Sequence, residues 1–547
     1  MRKRSIRWVA MVLGLTAIVA VGATAATAKL THSTAGSTLR FAIGAEPPSL
    51  DPGLATDTTS ANILLNIMDP LVRLGPSPAL KAIPSAAESI DHKGSVVTVH
   101  LRKDERWSNG APVTAQDYVW SWLRTISPQL AADYAYQFFG IKGAEAYNSC
   151  DPAKTNCATL AKQVGISAPD KYTLRIQLTS PQPWFDQQLG HSSFLPAYKP
   201  AVDKFGNKWT EPGHIVSDGP FVLSSWKHDA SVTITKNPKF RNAASVKINT
   251  VFMPIITDAA TALNAWKAGN IDVDDSSFNP SDIPALKKMK EFHKYTALGT
   301  YYYGFNVKNI TDVNQRRAMS DIIDRNAITK YIGQLGQVPA RGFTPASIAG
   351  GKTILANSHL PSVHQTDKAK GELAKVANPK KDINLYINNS AGHINIATAI
   401  QAYWKQLGLN VNIKVQEWKQ YLQFLGPPPN ADVDVYRLGW IYDYPDAQNG
   451  LVLWTCGSGN NNTNWCNKKY DALVDQASKT ADADKRYQLY QQAESILTGP
   501  NGDLPIMPIY WYVYALLTKA NVHGIEVNPM DQTFFDHAAN GTPVSIG

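Results

Sequence analysis

The sequence predicts an α/β protein with mixed sheets, in which two separated sheet systems leave a cleft between them. Residues 250–275 and 383–438 carry this prediction, because each stretch alternates a strand, a helix and a second strand. Gly269 and Gly408 follow the two helices at the position of a C-cap. Connections that cross between two such systems create an interlobe cleft, which is a frequent place for a ligand.

Alternating apolar residues also predict the elements that precede the first stretch. The expected strands are residues 38–43, 96–102 and 172–178, and the expected helices are residues 60–68 and 114–126. The second helix has a clear start, because Thr114 and Asp117 have the spacing of a capping box. It ends before Pro128, since proline disfavours a helical residue before it.

The remaining elements follow from the two alternating stretches and from the end of the chain. The expected strands are residues 251–255, 271–273, 383–387 and 409–415, and the expected helices are residues 258–268, 393–406, 418–425 and 485–498. Residues 504–517 form a long extended run. We expect this run to return toward the front of the chain.

Residues 434–446 are the most informative segment. Apolar and polar residues alternate at its start, which predicts a strand. Gly439 then removes a side chain, and Trp440 and Asp443 follow at the strand's end, where open α/β sheets bind ligands. An aromatic ring beside a carboxylate suits a cationic group such as an ammonium. The alternative interpretation is a strand, a proline turn and a packed tryptophan.

The length and the charge limit the class of protein. A chain of 547 residues fits two to four domain-sized units. The formal net charge of +9 falls to +5 without the four basic side chains of the first 28 residues. This mild excess, with no basic stripe interleaved with aromatic residues, argues against a nucleic-acid partner.

The first 28 residues have the pattern of a signal peptide. A basic head precedes an apolar run at residues 8–21, and Ala-Thr-Ala at residues 26–28 is a cleavage signal. We predict cleavage after Ala28, with a Ser/Thr/Gly tether at residues 29–37. The alternative is an uncleaved membrane anchor. Because no cysteine precedes Cys150, we do not expect a lipoprotein.

The four cysteines form two close pairs, Cys150 with Cys157 and Cys456 with Cys466. An exported chain meets oxidising conditions, so we predict two local disulfides. Each would stabilise the fold by about 2–3 kcal/mol if it acts by restricting the unfolded chain. A zinc site is the alternative, although neither pair has the spacing of a zinc ribbon or finger.

The sequence contains no catalytic motif. It lacks a Gly-x-Ser-x-Gly elbow, a His-Glu-x-x-His pair and a phosphate loop. Asp443 and Asp446 are a candidate carboxylate pair for a secreted hydrolase, but nothing in their spacing makes them face each other. We therefore predict a protein that is not an enzyme and that has no cofactor and no metal.

Several segments together resemble a known family. They are similar to the large periplasmic-type solute-binding proteins of ATP-driven peptide importers, the oligopeptide- and dipeptide-binding family (solute-binding protein family 5). The most diagnostic run is Trp-Ser-Asn-Gly-Ala-Pro-Val-Thr-Ala-Gln-Asp at residues 107–117. The other resembling segments, in the family's order, are residues 46–52, 217–222, 300–306 and 437–446.

The resemblance implies a two-lobe, periplasmic-binding-protein-like clamp with an extra third domain. Domain I is expected from residues 38–68, 193–296 and 511–547, domain II from residues 69–192, and domain III from residues 297–510. Each cysteine pair would then lie within one domain and would leave closure free.

The resemblance also implies roles for the residues around the informative segment. Asp443 matches an aspartate that pairs with the α-ammonium of a peptide. The backbone around Gly439, Trp440 and Ile441 would add the peptide as an extra strand, which reads atoms common to all peptides.

Three further residues complete the expected site. Arg437 and His393 match residues that meet the C-terminal carboxylate of the ligand. Glu46 has weaker support as a ligand-binding residue, and Trp418 is expected to pack.

We therefore expect an exported, monomeric binding protein at the extracellular face of the membrane or in the periplasm. It would capture short peptides in the interlobe cleft and deliver them to the membrane permease of an ABC importer. The same scaffold could instead bind an oligosaccharide, an opine or a metal chelate, with Trp440, Tyr442 and Tyr444 stacking on sugar rings. A secreted hydrolase is a remote alternative.

Overall fold

The computed structural model describes residues 37–358, 360–426 and 428–547. The predicted signal peptide at residues 1–28, and the tether up to residue 36, lie outside the described residues. No helix within the described ranges is long and apolar enough to cross a membrane.

The described residues contain nineteen strands. They are β1 (Thr38–Ala42), β2 (Val72–Leu74), β3 (Ala82–Pro84), β4 (Ala87–Lys93), β5 (Val96–Leu101), β6 (Ile166–Asp170), β7 (Thr173–Gln177), β8 (Phe221–Lys227), β9 (Ser231–Lys236), β10 (Thr250–Pro254), β11 (Val273–Asp274), β12 (Phe292–Phe305), β13 (Val338–Pro339), β14 (Asp382–Asn388), β15 (Asn410–Gln416), β16 (Val435–Ile441), β17 (Ile506–Thr518), β18 (Val522–His523) and β19 (Ser545–Ile546).

The main sheet has eleven strands in the order β15-β14-β16-β12-β17-β11-β1-β10-β9-β8, with β13 also paired to β17. The sequence predicted two separated sheet systems, and this prediction was wrong in one respect, because both alternating stretches belong to this one sheet. The reason is the length of β12 and β17, which have 14 and 13 residues and pair antiparallel from Phe292–Leu517 to Gly304–Ile506. The end of the chain does return to its front, since β17 pairs with β11, the neighbour of β1.

A second, antiparallel sheet of four strands stands apart, in the order β4-β5-β7-β6. Its core contains Trp107 and Trp122, both fully buried. We call residues 87–194 the small-sheet region, and residues 297–510, which contain β14 to β16, the C-terminal region. Two short pairs, β2-β3 and β18-β19, complete the sheets of the described chain.

The α-helices begin mostly at Asp, Asn or Thr, whose side chains cap free backbone N–H groups. Thr114 and Asp117 form the predicted capping box, in which the Thr114 backbone donates to Asp117 at 2.8 Å. The α-helices are α1 (Thr58–Ile67), α2 (Ala115–Thr125), α3 (Ala144–Asn148), α4 (Cys157–Ala161), α5 (Phe185–Gln188), α6 (Lys199–Phe205), α7 (Ala259–Lys267), α8 (Ile283–Leu286), α9 (Val313–Asp321), α10 (Arg325–Ala327), α11 (Gly351–Ile354), α12 (Thr366–Leu373), α13 (Ala391–Lys405), α14 (Trp418–Leu425), α15 (Ala447–Val452), α16 (Lys468–Ser478) and α17 (Ala483–Thr498).

Both predicted disulfides are present, between Cys150 and Cys157 and between Cys456 and Cys466. The first lies in the small-sheet region and the second in the C-terminal region. Neither joins the two regions. The alternative of a zinc site at either cysteine pair does not apply, because a sulfur atom in a disulfide offers no thiolate to bind the metal.

Candidate ligand-binding site

A cavity of about 950 Å³ lies between the small-sheet region, the C-terminal region and the first part of the chain. This volume is within the range of small-ligand sites, roughly 300–1,000 Å³. All of the ligand-binding residues expected from the sequence line it: Glu46, His393, Arg437, Gly439, Trp440, Ile441 and Asp443. The structure therefore brings them around one space, although they come from distant parts of the sequence.

Strand β16 gives the cavity a free backbone edge. On one side β16 pairs with β12 along its whole length, from Val435 to Ile441. On the other side β14 pairs with it at only two positions, Val435 and Tyr436. From Leu438 to Ile441 no strand of the described chain covers that edge. Unpaired N–H and C=O groups on such an edge can accept an added strand.

Asp443 follows β16 and is buried, with three side-chain donors and one imidazole around its carboxylate. Oδ1 accepts from the Tyr134 hydroxyl at 3.3 Å and lies 3.1 Å from His191 Nε2. Oδ2 accepts from Asn449 Nδ2 at 2.8 Å and from the amide of Gln137. Tyr134, Gln137 and His191 belong to the small-sheet region. The carboxylate therefore joins the two sides of the cavity.

Tyr134 donates to Asp443 because its hydroxyl keeps its proton. Burial, and then the neighbouring Asp443 charge, raise the pKa of Tyr134 well above its usual value. A hydroxyl that stays protonated can only donate to a carboxylate, which is an acceptor without hydrogens.

Trp440 is oriented by hydrogen bonding and packing. Its indole Nε1 donates to Asn449 Oδ1 at 2.9 Å, and the same oxygen accepts from the Asp443 backbone at 3.0 Å. The ring meets Tyr134 edge to face, with 5.9 Å between the centroids. Tyr442 and Tyr444 are buried as well. Trp440 and Tyr442 line the cavity but are almost fully buried, which leaves little ring area for the stacking that a sugar needs.

Gly439 makes room for a residue on β17. A Cβ atom at this position would collide with the hydroxyl of Tyr512. That hydroxyl accepts from Arg437 Nη2 at 2.8 Å. The missing side chain of Gly439 thus allows a partner of Arg437 to approach β16.

Arg437 is a buried cation whose hydrogen-bond partners are neutral. Besides Tyr512, its Nη1 donates to Asn388 Oδ1 at 3.0 Å, and its guanidinium lies 4.3 Å from the centre of the Tyr301 ring. Burial opposes the charge, but the surrounding tyrosines raise its pKa, so that the group stays charged. No carboxylate of the described residues pairs with it, and its Nε has no partner there. Such a site fits a ligand anion.

His393 lies beside Arg437, in the first turn of α13. Its Nδ1 is 3.3 Å from the Tyr301 hydroxyl. Burial, and then the charge of Arg437, lower the pKa of His393 well below its usual value. The imidazole is therefore neutral and leaves Arg437 as the cation of this end of the cavity.

Glu46 and Trp418 occupy other parts of the cavity wall. Glu46 accepts from Trp226 Nε1 at 3.1 Å and from the Asp229 backbone at 3.1 Å, and His228 Nδ1 lies 2.9 Å away. Trp418 does more than pack, since it lines the cavity and donates to Asp57 at 3.3 Å. The expectation of simple packing for Trp418 was therefore incomplete.

Asp446 lies away from any pairing with Asp443. It caps α15, accepts from the Gln448 backbone at 2.9 Å and pairs with Arg486 at 3.1 Å. A glycosidase-type carboxylate pair would need both groups to face the same substrate. Asp446 is instead held by its own helix and by Arg486.

Four residues around Asp443 were missed by the sequence reasoning: Tyr134, Gln137, His191 and Asn449. The first two lie in a 3-10 helix, Asp133–Phe138, that carries no recognised motif. Asn449 had a detectable signal, because it stands in the first turn of the helix that Asp446 caps.

A cavity between two lobes, with a free strand edge between a buried anion and a buried cation, defines a solute-binding clamp. The sequence profile described as "Bacterial extracellular solute-binding proteins, family 5 Middle" matches residues 81–462. The chain belongs to this family.

Known relatives cover nearly the whole chain. The periplasmic oligopeptide-binding protein OppA of Escherichia coli (strain K12) is 34% identical over 507 residues, which cover 90% of each chain. The structure of Haemophilus influenzae OppA in complex with RPPGFSPFR is 28% identical, with a TM-score of 0.84, and covers 94% of this chain and 99% of that one.

Two structures of one relative indicate the conformation of the lobes. A structure of the murein tripeptide binding protein MppA of Escherichia coli has a TM-score of 0.83 at 29% identity and covers 93% of this chain and 99% of that one. The unliganded open form of MppA has a TM-score of only 0.61 at 28% identity, with 93% and 98% covered. The lobes of this chain are therefore arranged unlike that open form.

Proposed function

We propose that this protein captures short peptides in the cavity and delivers them to the membrane permease of an ABC importer. The observation that carries the proposal is the free edge of β16, which runs between buried Asp443 and buried Arg437. A peptide has a cationic end, an anionic end and a backbone that can add to a strand. These three features match the three parts of the site.

The geometry sets the direction and the approximate length of the ligand. Its ammonium would lie at Asp443 and its carboxylate near Arg437, so the peptide would run antiparallel to β16. Asp443 stands six residues after Arg437, a span of at most roughly 20 Å if the backbone were extended throughout. Peptides of about three to five residues fit a span of this length.

The ammonium has to compete with donors that Asp443 already has. One neutral competitor is the amide of Gln137, and a hydrogen bond between a cation and a carboxylate is stronger than one from a neutral donor. We propose that the ligand ammonium takes the place of this amide at Oδ2. Asn449 then remains as the donor that orients the carboxylate.

The domain division predicted from the sequence is part of the proposal. Domain I would comprise residues 38–68, 193–296 and 511–547, domain II residues 69–192, and domain III residues 297–510. The pairing of β1 with β10 and β11 supports a first domain assembled from distant segments. We further propose export, guided by residues 1–28, and action as a monomer.

The test uses calorimetry with trialanine, its N-acetyl form and its C-terminal amide. We expect the free peptide to bind at least about 10-fold more tightly than either blocked form, because each block removes one ionic partner, worth about 1.5–3 kcal/mol. Equal affinities for all three peptides would contradict the proposal. Mass spectrometry of copurified ligands provides a second check, in which a series of short peptides is the expected result.

A further inference from the structure

A second contact joins the two sides of the cavity behind Asp443. The guanidinium of Arg486, on α17, lies over the ring of Trp184, with 5.3 Å to its centre. Trp184 directly precedes α5 in the small-sheet region, and Arg486 belongs to the C-terminal region. Both side chains are almost fully buried, at 3% and 4% exposure. We call this contact the latch.

Arg486 is bound loosely for a buried arginine. Within the described residues, its Nη2 alone makes a hydrogen bond, to Asp446 Oδ2 at 3.1 Å. Its Nε and Nη1 are buried without an acceptor among the described residues. Unsatisfied N–H groups are costly, so a better-bonded arginine would be expected if stability alone determined this position.

A short series of contacts connects Arg486 to Asp443. Asp446, the partner of Arg486, caps α15, the helix that carries Asn449. Asn449 donates to Asp443 Oδ2 at 2.8 Å and accepts from the Asp443 backbone at 3.0 Å. The position of α15 therefore sets the orientation of the Asp443 carboxylate.

A second series connects Trp184 to the same carboxylate. Gln188, at the end of α5, donates to the Gln137 backbone at 2.8 Å and to the Gln137 side chain at 3.1 Å. Gln137 in turn donates to Asp443 Oδ2. Two series of contacts, one from each side of the cavity, thus start at the latch and end at one oxygen atom.

We propose that Arg486 is a positioning residue for the ammonium site and that the latch favours the closed arrangement of the lobes, with or without a bound peptide. The proposal rests on the proposed function, because it assumes that Asp443 binds the ligand ammonium. When the lobes separate, Arg486 leaves Trp184, and Tyr134 and His191 leave Asp443. Closure and the orientation of the anchor carboxylate are therefore coupled.

The first experiment separates the two roles of Arg486 with three variants. Arg486→Met removes both the pairing with Asp446 and the charge over Trp184, Arg486→Lys keeps a charge for Asp446 but loses the planar group, and Trp184→Leu removes the ring. Peptide dissociation is measured by stopped flow, and the preference for trialanine over N-acetyl-trialanine by calorimetry. Arg317→Met is the control, since Arg317 is in the same region but donates to the Gly502 carbonyl at 2.9 Å.

We expect dissociation to be faster by about 3- to 10-fold in Trp184→Leu and Arg486→Lys, in line with a buried cation–π contact. Arg486→Met should dissociate about 10-fold faster or more, and should also lose most of the preference for the free ammonium. A merely structural role would lower thermal stability and leave that preference unchanged. If all three variants match the Arg317→Met control in both measurements, the latch proposal is wrong.

A second experiment keeps the latch testable whatever the ligand is. The four cysteines are all in disulfides, so Lys93→Cys and Lys479→Cys, at exposed positions in the two regions, can carry a pair of spin labels. We expect Arg486→Met and Trp184→Leu to shift the ligand-free label distances toward longer values. Unchanged distances would overturn the latch. Failure of the peptide proposal would instead appear as a lack of preference among the peptides in the unmodified protein.

Discussion

The two ends of the cavity hold opposite charges in opposite ways. At one end, Asp443 accepts from three side chains and lies 3.1 Å from His191 Nε2; Tyr134, Gln137 and His191 come from the small-sheet region. At the other end, Arg437 has only neutral partners, Asn388 and Tyr512, and no carboxylate among the described residues. The anion is therefore satisfied by the protein, whereas the cation is stabilised only by dipoles and aromatic rings.

This difference assigns the two ends different tasks. The Asp443 end connects both sides of the cavity, so its bonding changes when the lobes move. The Arg437 end is built on β16, β14 and β17 of the main sheet, so it is formed before closure. A ligand carboxylate would meet a preformed cation, whereas a ligand ammonium would meet an anion whose surroundings are completed by closure.

The largest effect is expected from Arg437→Met, which tests the end of the cavity where the buried charge has no charged partner among the described residues. Binding of trialanine should weaken by about 100-fold or more, because loss of a buried charged partner costs about 2–5 kcal/mol. The affinity for the C-terminal amide of trialanine should change little, since this peptide has no carboxylate to pair with Arg437. The control is again Arg317→Met. An equal loss for the acid and the amide, measured by calorimetry, would show that Arg437 does not read the carboxylate.

A smaller effect is expected from Asp443→Asn, which tests the end of the cavity where the buried charge is already hydrogen-bonded to the protein. The affinity for trialanine should fall by about 10- to 100-fold, because the ammonium loses a charged acceptor that it had shared with protein donors. N-acetyl-trialanine should bind both forms alike. Asp475→Asn, at an exposed ion pair with Lys479, is the matched control. If acetylation still weakens binding to Asp443→Asn as strongly as before, another group binds the ammonium.

The smallest effect is expected on stability, from His393 at the cationic end. Its pKa is lowered in the folded protein, so below about pH 6.5 the unfolded chain binds a proton that the folded chain does not. Stability should therefore fall as the pH is lowered through that value. Between pH 7.5 and pH 5, the free energy of unfolding should drop by up to about 2 kcal/mol more in the unmodified protein than in His393→Gln.

Urea titrations at the two pH values measure this difference. His523→Gln, at an exposed position, serves as the control and should behave like the unmodified protein. A pH dependence that is the same with and without His393 would mean that this imidazole is protonated beside Arg437.

The local parts of the fold were predictable from the sequence, because local signals determine them. The capping box at Thr114 and Asp117 located α2, and each predicted strand and helix lies within two residues of the observed one at either end. The joining of both alternating stretches into one sheet was not predictable in this way. It depends on the pairing of β12 with β17, whose residues are about two hundred positions apart in the sequence.

The candidate site was likewise predictable only where its residues are close together in the sequence. Gly439, Trp440, Ile441 and Asp443 stand in one recognisable segment, and the structure places them on one wall of the cavity. Gln137 and His191 meet Asp443 only because the small-sheet region lies against the C-terminal region. Such contacts depend on how two regions dock, and a pattern within either region carries no information about docking. The ligand-binding roles of these residues stay predictions.

The free edge of β16 also has a consequence for solubility. An uncovered sheet edge is a template on which other chains can aggregate, and proteins usually protect it with charges, bulges or a covering segment. Here the uncovered part, from Leu438 to Ile441, is short and lies inside a cavity. A folded neighbour therefore cannot reach it, whereas an extended peptide can. The position of this edge inside the cavity thus protects the protein against self-association and leaves the edge open to small ligands.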